Sequence, residues 1–227
     1  MEINETTSPI EIDWEGELVP LSGMFAPGGS ELPNVSLGKP FWWGDQKIFG
    51  DGWTPPAGGK RYGLARFAFS LRPQLGQTVR HAEFTVYLQP VDGTQLPIVF
   101  DLFPKSVTEE QSGDLKASIG PEFKFSGAEA SVAKLETTVH LREITSVISA
   151  DGIGESTARW VFTARRSHLL IGSQLVYAIV ELPNDGTKYH ATVQLSAEVT
   201  TSFGPVRGLL PKTEQTKFRY LLTKTQQ

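Results

Sequence analysis

Tyr189-His190-Ala191-Thr192-Val193-Gln194-Leu195-Ser196-Ala197-Glu198-Val199-Thr200 is the stretch that decides the fold. Tyr189, Ala191, Val193, Leu195, Ala197 and Val199 alternate with His190, Thr192, Gln194, Ser196, Glu198 and Thr200. Successive side chains of a strand point to opposite faces, so a period of two marks a strand with one buried and one wet face. The pattern predicts a strand over 188–203 with His190 on the wet side.

The same texture spreads in both directions. Runs rich in β-branched and aromatic residues, bounded by Gly and Pro, predict strands at 64–71, 79–89, 96–103, 115–125, 128–141, 144–150, 159–164 and 169–182. In 128–141 the apolar phase slips: Ala128, Ala130 and Val132 are followed by Ala133, Leu135, Val139 and Leu141. A one-residue slip exchanges the faces, which predicts a bulge near Val132-Ala133. Asp92-Gly93 predicts a hairpin joining 79–89 to 96–103, since Gly tolerates the positive φ such a turn requires. Ser106-Val107-Thr108-Glu109 has the form of a capping box and predicts one helical turn at 107–111. An internal echo pairs Phe84–Thr94 with Tyr177–Thr187, each a strand followed by Pro-x-Asp-Gly-Thr. It implies two similar hairpins, by duplication or by convergent turn chemistry.

The flanks differ from this body. Ile10, Ile12 and Trp14 alternate with Glu11, Asp13 and Glu15, which predicts one short strand with an acidic outer face. From 20 to 60 the chain is rich in Gly and Pro yet carries Phe41, Trp42, Trp43, Phe49 and Trp53. Disordered segments are poor in such rings, so an irregular arm packed over the sheet is expected. After 204 the chain breaks at Gly204-Pro205 and again at Pro211, then offers a short final element at 217–224. The expected fold is all-β: one domain over 1–227, an antiparallel β-sandwich or flattened barrel of about nine to twelve strands. A long Trp-rich arm (1–60) lies on the body (61–204), and a tail (205–227) follows.

Composition narrows the chemistry. The 227 residues include no cysteine, which removes disulfides, cysteine-ligated metals and thiol nucleophiles. The net charge is −4, and Lys and Arg are scattered, the densest spots being the pairs Lys60-Arg61 and Arg165-Arg166. A nucleic-acid binder shows a basic stripe instead, so no nucleic-acid partner is expected. No apolar run approaches the ~20 residues of a helical membrane span. The acidic start, Met1-Glu2-Ile3-Asn4-Glu5, is unlike a secretory signal, so a cytoplasmic location is expected. The segments 128–138 and 187–201 have the small, amphipathic texture of pore-forming β-hairpins, and about 9–11 alternating residues suffice to span. A two-sheet sandwich shows the same alternation, so the texture is weighed as sandwich.

Catalytic signatures are lacking. His81, His140, His168 and His190 have no metal-ligand spacing. There is no Gly-x-Ser-x-Gly, and Gly59-Lys60 runs into Arg61 where a phosphate loop needs Ser or Thr. Asp151-Gly152-Ile153-Gly154-Glu155 lacks the oxygen ladder of a calcium loop and reads as a flexible hairpin tip. No metal and no cofactor is expected, and any paired-carboxylate site would come from distant residues.

The candidate binding residues are Trp42, Trp43, Trp53 and Tyr62. Large rigid rings in a Gly-rich loop suit a contact surface, because they contribute area at low entropic cost. Adjacent rings on an extended segment cannot both point inward. A structural role would have one plug the core while the other covers a neighbouring strand. The expected function is a non-enzymatic interaction module that binds another protein or self-associates. The alternatives are a carbohydrate-binding module with Trp42, Trp43 and Trp53 on one platform, and a hydrolase with a site assembled from non-sequential residues.

Overall fold

The computed structural model describes residues 10–21, 32–44, 49, 54–109, 115–118, 145–165, 170–185, 187–211 and 218–222. Trp53, the expected bulge at Val132-Ala133 and the strand expected at 128–141 lie outside them. Among the described residues fifteen strands follow one another: β1 (Ile12–Glu17), β2 (Val19–Pro20), β3 (Asn34–Gly38), β4 (Phe41–Trp43), β5 (Lys60–Arg72), β6 (Thr78–Pro90), β7 (Ile98–Phe103), β8 (Ser106–Glu109), β9 (Leu115–Ser118), β10 (Thr145–Asp151), β11 (Thr157–Thr163), β12 (Gly172–Pro183), β13 (Tyr189–Thr201), β14 (Gly204–Leu209) and β15 (Arg219–Leu222). Eleven of them, β5 to β15, begin at or after Lys60. The described residues contain no α-helix.

The strands form two antiparallel sheets packed face to face, the expected β-sandwich. The smaller, six-stranded sheet runs β1-β3-β5-β12-β7, with β4 also on β5. The larger, nine-stranded sheet runs β2-β14-β13-β6-β11-β10-β8-β9, with β15 also on β13. The stretch that decided the fold is β13, which pairs with β6 along nearly its whole length. Its apolar parity, Tyr189 to Val199, faces the core as the alternation requires. From the smaller sheet Ala65, Phe67, Phe69 and Leu71 of β5 meet Phe84, Val86 and Leu88 of β6 across the interior. Phe69 stacks on Phe84 at 4.9 Å, and Trp160 of β11 completes the aromatic spine.

Within the arm the chain is more regular than its Gly and Pro content suggests. β3 and β4 lie end to end along one edge of β5, with Leu37 opposite Phe69 and Phe41 opposite Arg66. The register slips by one residue between them, at Gly38-Lys39-Pro40. Proline has no N–H to donate, so the ladder breaks there and resumes out of phase. The slip exchanges faces. Val35 and Leu37 point into the sandwich, and after the break Trp42 does so while Trp43 points out.

Three local expectations change. Ser106–Glu109 is not a helical turn but β8, paired with β10 on one side and β9 on the other. Asp92-Gly93 does not close a hairpin: β6 and β7 belong to different sheets, so the turn carries the chain from one layer to the other. The echoed segment does the same between β12 and β13. The two crossings touch, with Thr187 within 3.8 Å of where a Gly93 Cβ would stand and the Val91 amide donating to the Lys188 carbonyl. The break at Gly204 (φ +120°) is a tight turn into β14, which pairs back on β13.

Candidate functional site

The slip at Pro40 divides the candidate aromatic residues between two places. Trp42 is buried in the core between the sheets. Trp43 and Tyr62 are buried together on the outer face of the smaller sheet, with Phe49, Leu64, Tyr177 and Ile179. That face is a second apolar layer because β5 and β12 carry large side chains on both parities, as strands buried on both faces do. The three rings therefore share no exposed platform, and reaching any of them requires packed side chains to move.

A cation sits inside this outer layer. Arg66 is buried, and its guanidinium carbon lies 5.5 Å from the ring centroids of both Phe41 and Trp43. The two rings are themselves 4.4 Å apart. Such a clamp attracts a cation through the ring quadrupoles, and it ties β4 to the middle of β5. At the margin the Tyr62 hydroxyl donates to Glu181 Oε2 at 2.8 Å, and Lys60 Nζ lies 3.5 Å from the other carboxylate oxygen. Burial first, and then the hydrogen bond to Glu181 and its charge, push the Tyr62 phenol up to about 12. Ring, carboxylate and ammonium form a closed structural chain.

The outer face of the larger sheet is polar. Alternation predicts a solvated His190, and the parity is right, but the side chain is only 2% exposed. Neighbouring strands cover it: its Nε2 lies 3.2 Å from Gln89 Oε1 on β6, and its Nδ1 lies 3.3 Å from Arg219 on β15. Burial and then the Arg219 charge hold its pKa below the ordinary histidine value. The loop at 151–155 is likewise not a loose tip. Asp151 is held by Arg159, closest at 2.7 Å, and the Gly154 amide and Glu155 carbonyl bond to Val99 on the edge of β7. Among the described residues no cluster of His, Asp or Glu could hold a metal ion.

Sequence reasoning missed one concavity. β14 and β15 share the same edge of β13, at Ser196–Thr201 and Tyr189–Thr192 respectively. Between them a notch of about 220 Å³ opens, lined by Tyr87, Thr192, Val193, Gln194, Leu209, Leu210 and Phe218. Tyr87 is exposed at its rim, its hydroxyl donating to Gln194 Oε1 at 3.1 Å. A large ring on the wet parity of 79–89 was the available signal.

No family model matches the chain, and neither does any curated protein. Solved structures overlap it loosely. Clostridium perfringens delta-toxin is 11% identical, with 74% of this chain and 73% of that one covered, at a TM-score of 0.31. The C. perfringens NetB toxin in its membrane-inserted form is 8% identical over 94% and 92%, at 0.34. The C-terminal domain of the Streptococcus agalactiae polypeptide BspA is 10% identical over 78% and 49%, at 0.31. Overlaps this loose carry no functional argument.

Proposed function

We propose that the chain is a non-enzymatic interaction module that receives an anchoring side chain of a protein partner in the notch on β13. The observation that supports this is the notch's size together with its lining. Small-molecule and substrate sites run to about 300–1,000 Å³, and about 220 Å³ falls below that range. It suits one side chain. Leu209, Leu210, Val193 and Phe218 make an apolar floor, and the Tyr87–Gln194 pair offers polar groups at the rim. Interfaces concentrate their energy where an anchor fills such a pocket beside an exposed Tyr.

The test compares wild type with Tyr87→Ala, at an exposed position, and Leu209→Asp, at a half-buried one, both checked for an unchanged fold, in affinity capture from the native host. A second, differently tagged copy of the chain is included as one partner. A stoichiometric protein, or the second copy, retained by wild type and lost from both variants is the expected result. Equal recovery by all three forms, or none by wild type, overturns the reading.

A further inference from the structure

We infer that Asp92-Gly93 is a site of backbone self-modification, where the folded chain converts an aspartyl linkage into an isoaspartyl one through a cyclic imide. Neither residue lines the notch on β13.

The sequence contains four Asp-Gly pairs: Asp51-Gly52, Asp92-Gly93, Asp151-Gly152 and Asp185-Gly186. Asp51-Gly52 and Gly186 lie outside the described residues. Each pair has the residue types the reaction needs. The amide nitrogen of the glycine loses its proton and attacks Cγ of the aspartic acid. A C–N bond forms, the carboxyl hydroxyl leaves as water, and a five-membered imide closes. Glycine permits this because it has no Cβ to obstruct the approach. Water then opens the ring. Opening at the side-chain carbonyl restores aspartate. Opening at the main-chain carbonyl leaves the backbone running through Cβ, with the carboxylate on Cα. One water leaves and one returns, so the net change is an isomerisation with no co-reactant. Two conditions set the rate. The carboxyl must be protonated and able to turn toward the next amide, and the intervening peptide must be able to rotate.

The fold separates these pairs. Asp92 meets both conditions. Residues 91–96 are all exposed. Among the described residues no hydrogen bond or ion pair holds the Asp92 carboxylate. The Val91 amide is anchored on the Lys188 carbonyl at 2.8 Å, and the next such anchor is the Val99 amide on Glu155. A stretch with so few backbone bonds opens locally at little cost. Gly93, at φ +104°, has room around it, the nearest atom to an added Cβ being Thr187 Oγ1 at 3.7 Å.

Asp151 fails both conditions. It ends β10, in the ladder opposite Arg159. Arg159 Nε donates to its two carboxylate oxygens at 3.2 and 3.1 Å, and Nη2 donates to Oδ2 at 2.7 Å. That fork holds the carboxylate on β11. Gly152 is fixed in turn, with the Thr157 carbonyl oxygen where a Cβ would stand and the Glu155 amide donating to the Gly152 carbonyl. Asp185 fails the first condition. Its Oδ1 accepts from the Thr187 amide at 2.9 Å and from the Tyr189 hydroxyl at 3.3 Å. The Thr187 amide in particular holds its pKa below the ordinary carboxylate value, which depletes the protonated acid.

The experiment ages the full chain at neutral pH, folded in buffer with its near-ultraviolet spectrum monitored, and unfolded in guanidinium chloride in parallel. Peptide mapping with a protease that cuts at aspartyl but not isoaspartyl linkages, followed by fragmentation mass spectrometry, reads each site separately. In the folded chain isoaspartate at 92 should accumulate at least about tenfold faster than at 151 or 185. In guanidinium chloride the three rates should converge, because the dipeptide is the same and the fold no longer restrains it. The new carboxylate at 92 is exposed, so an added isoaspartyl carboxyl methyltransferase with S-adenosylmethionine reports it on the native protein. The carboxylate oxygen takes the sulfonium methyl group, and the thioether leaves. Aged Asp92→Glu, whose longer side chain would have to close a six-membered ring, should accept less methyl than aged wild type. Equal rates at 92, 151 and 185 in the folded chain, or isoaspartate at 92 only in the unfolded chain, overturn the proposal. So does equal methyl acceptance by aged wild type and aged Asp92→Glu.

Discussion

Gly63 of β5 lies so close to Trp42 of β4 that a Cβ on it would run into Cζ2 and Cη2 of the indole, and would stand 2.8 Å from the Trp43 carbonyl oxygen. The indole occupies the space that every other residue type would fill. Gly63→Ala should therefore destabilise by about 1–3 kcal/mol, the usual cost of overpacking. Trp42→Ala should cost about 3–5 kcal/mol through the lost burial and the cavity left behind. The two changes should be strongly non-additive, because removing the indole removes most of what the new methyl meets. The Trp43 carbonyl stays in place, so the alanine retains part of its cost. Urea unfolding of the two single variants and the double measures the coupling, and additive penalties would contradict the packing.

The same pair shows how far the sequence could be read. Adjacent tryptophans on an extended segment must face opposite ways, and Trp42 and Trp43 do. Which one enters the core depends on the slip at Pro40 and on which edge of β5 the arm pairs with, and neither is a local property. Parity was legible in 189–200 as well. Burial was not, because His190 is covered by Gln89 and Arg219, about a hundred residues before and thirty after it. Asp92-Gly93 has the right turn chemistry, but a turn does not record whether the next strand pairs beside the last or crosses to the other sheet. Pairing partners are fixed by long-range packing. The notch was hidden for the same reason, since it exists only where β14 and β15 meet the edge of β13.

His190 makes the fold sensitive to mild acid. Arginine can only donate, so Nδ1 accepts from Arg219 and the ring proton on Nε2 is donated to Gln89. Protonating Nδ1 would set an N–H and a positive charge against the guanidinium. Burial first, and then this repulsion, hold the folded pKa below the unfolded value of about 6.5. Above about 6.5 both states are neutral and the contribution to stability is complete. As the pH falls from there, the unfolded chain takes the proton first, and stability declines until the folded pKa is passed. His190→Gln should flatten the pH dependence of the urea midpoint in that window. An unchanged profile would mean that other groups carry the acid sensitivity.

Trp160 is fully buried, and its indole Nε1 has no hydrogen-bond partner among the described residues. An unmet buried donor costs about 1–3 kcal/mol. Trp160→Phe removes that donor while leaving a modest cavity, so the two effects oppose each other. The net change should lie within about 1.5 kcal/mol, whereas Trp160→Ala should cost about 3–5 kcal/mol. Calorimetric melting of both variants separates them, and a Phe variant as damaged as the Ala variant would show that the ring's volume alone matters.

The β10–β11 turn sets backbone shape against surface charge. Gly152 has φ +108°, and a Cβ there would fall on the Thr157 carbonyl oxygen. The same turn presents the Gly154 amide and the Glu155 carbonyl to Val99, closing part of the open edge of β7. Gly152→Ala must therefore distort the turn, and it should cost more than about 2 kcal/mol through combined strain and overlap. The Arg159–Asp151 pair beside it is about half exposed on both sides. Exposed pairs contribute about 0–1 kcal/mol and are screened by salt. Arg159→Ala should accordingly shift the urea midpoint little, and less still at high ionic strength. Amide exchange at Val99 discriminates further, because protection should fall in Gly152→Ala and persist in Arg159→Ala. The reverse order would mean that the ion pair, and not the glycine, holds this loop on the edge of the smaller sheet.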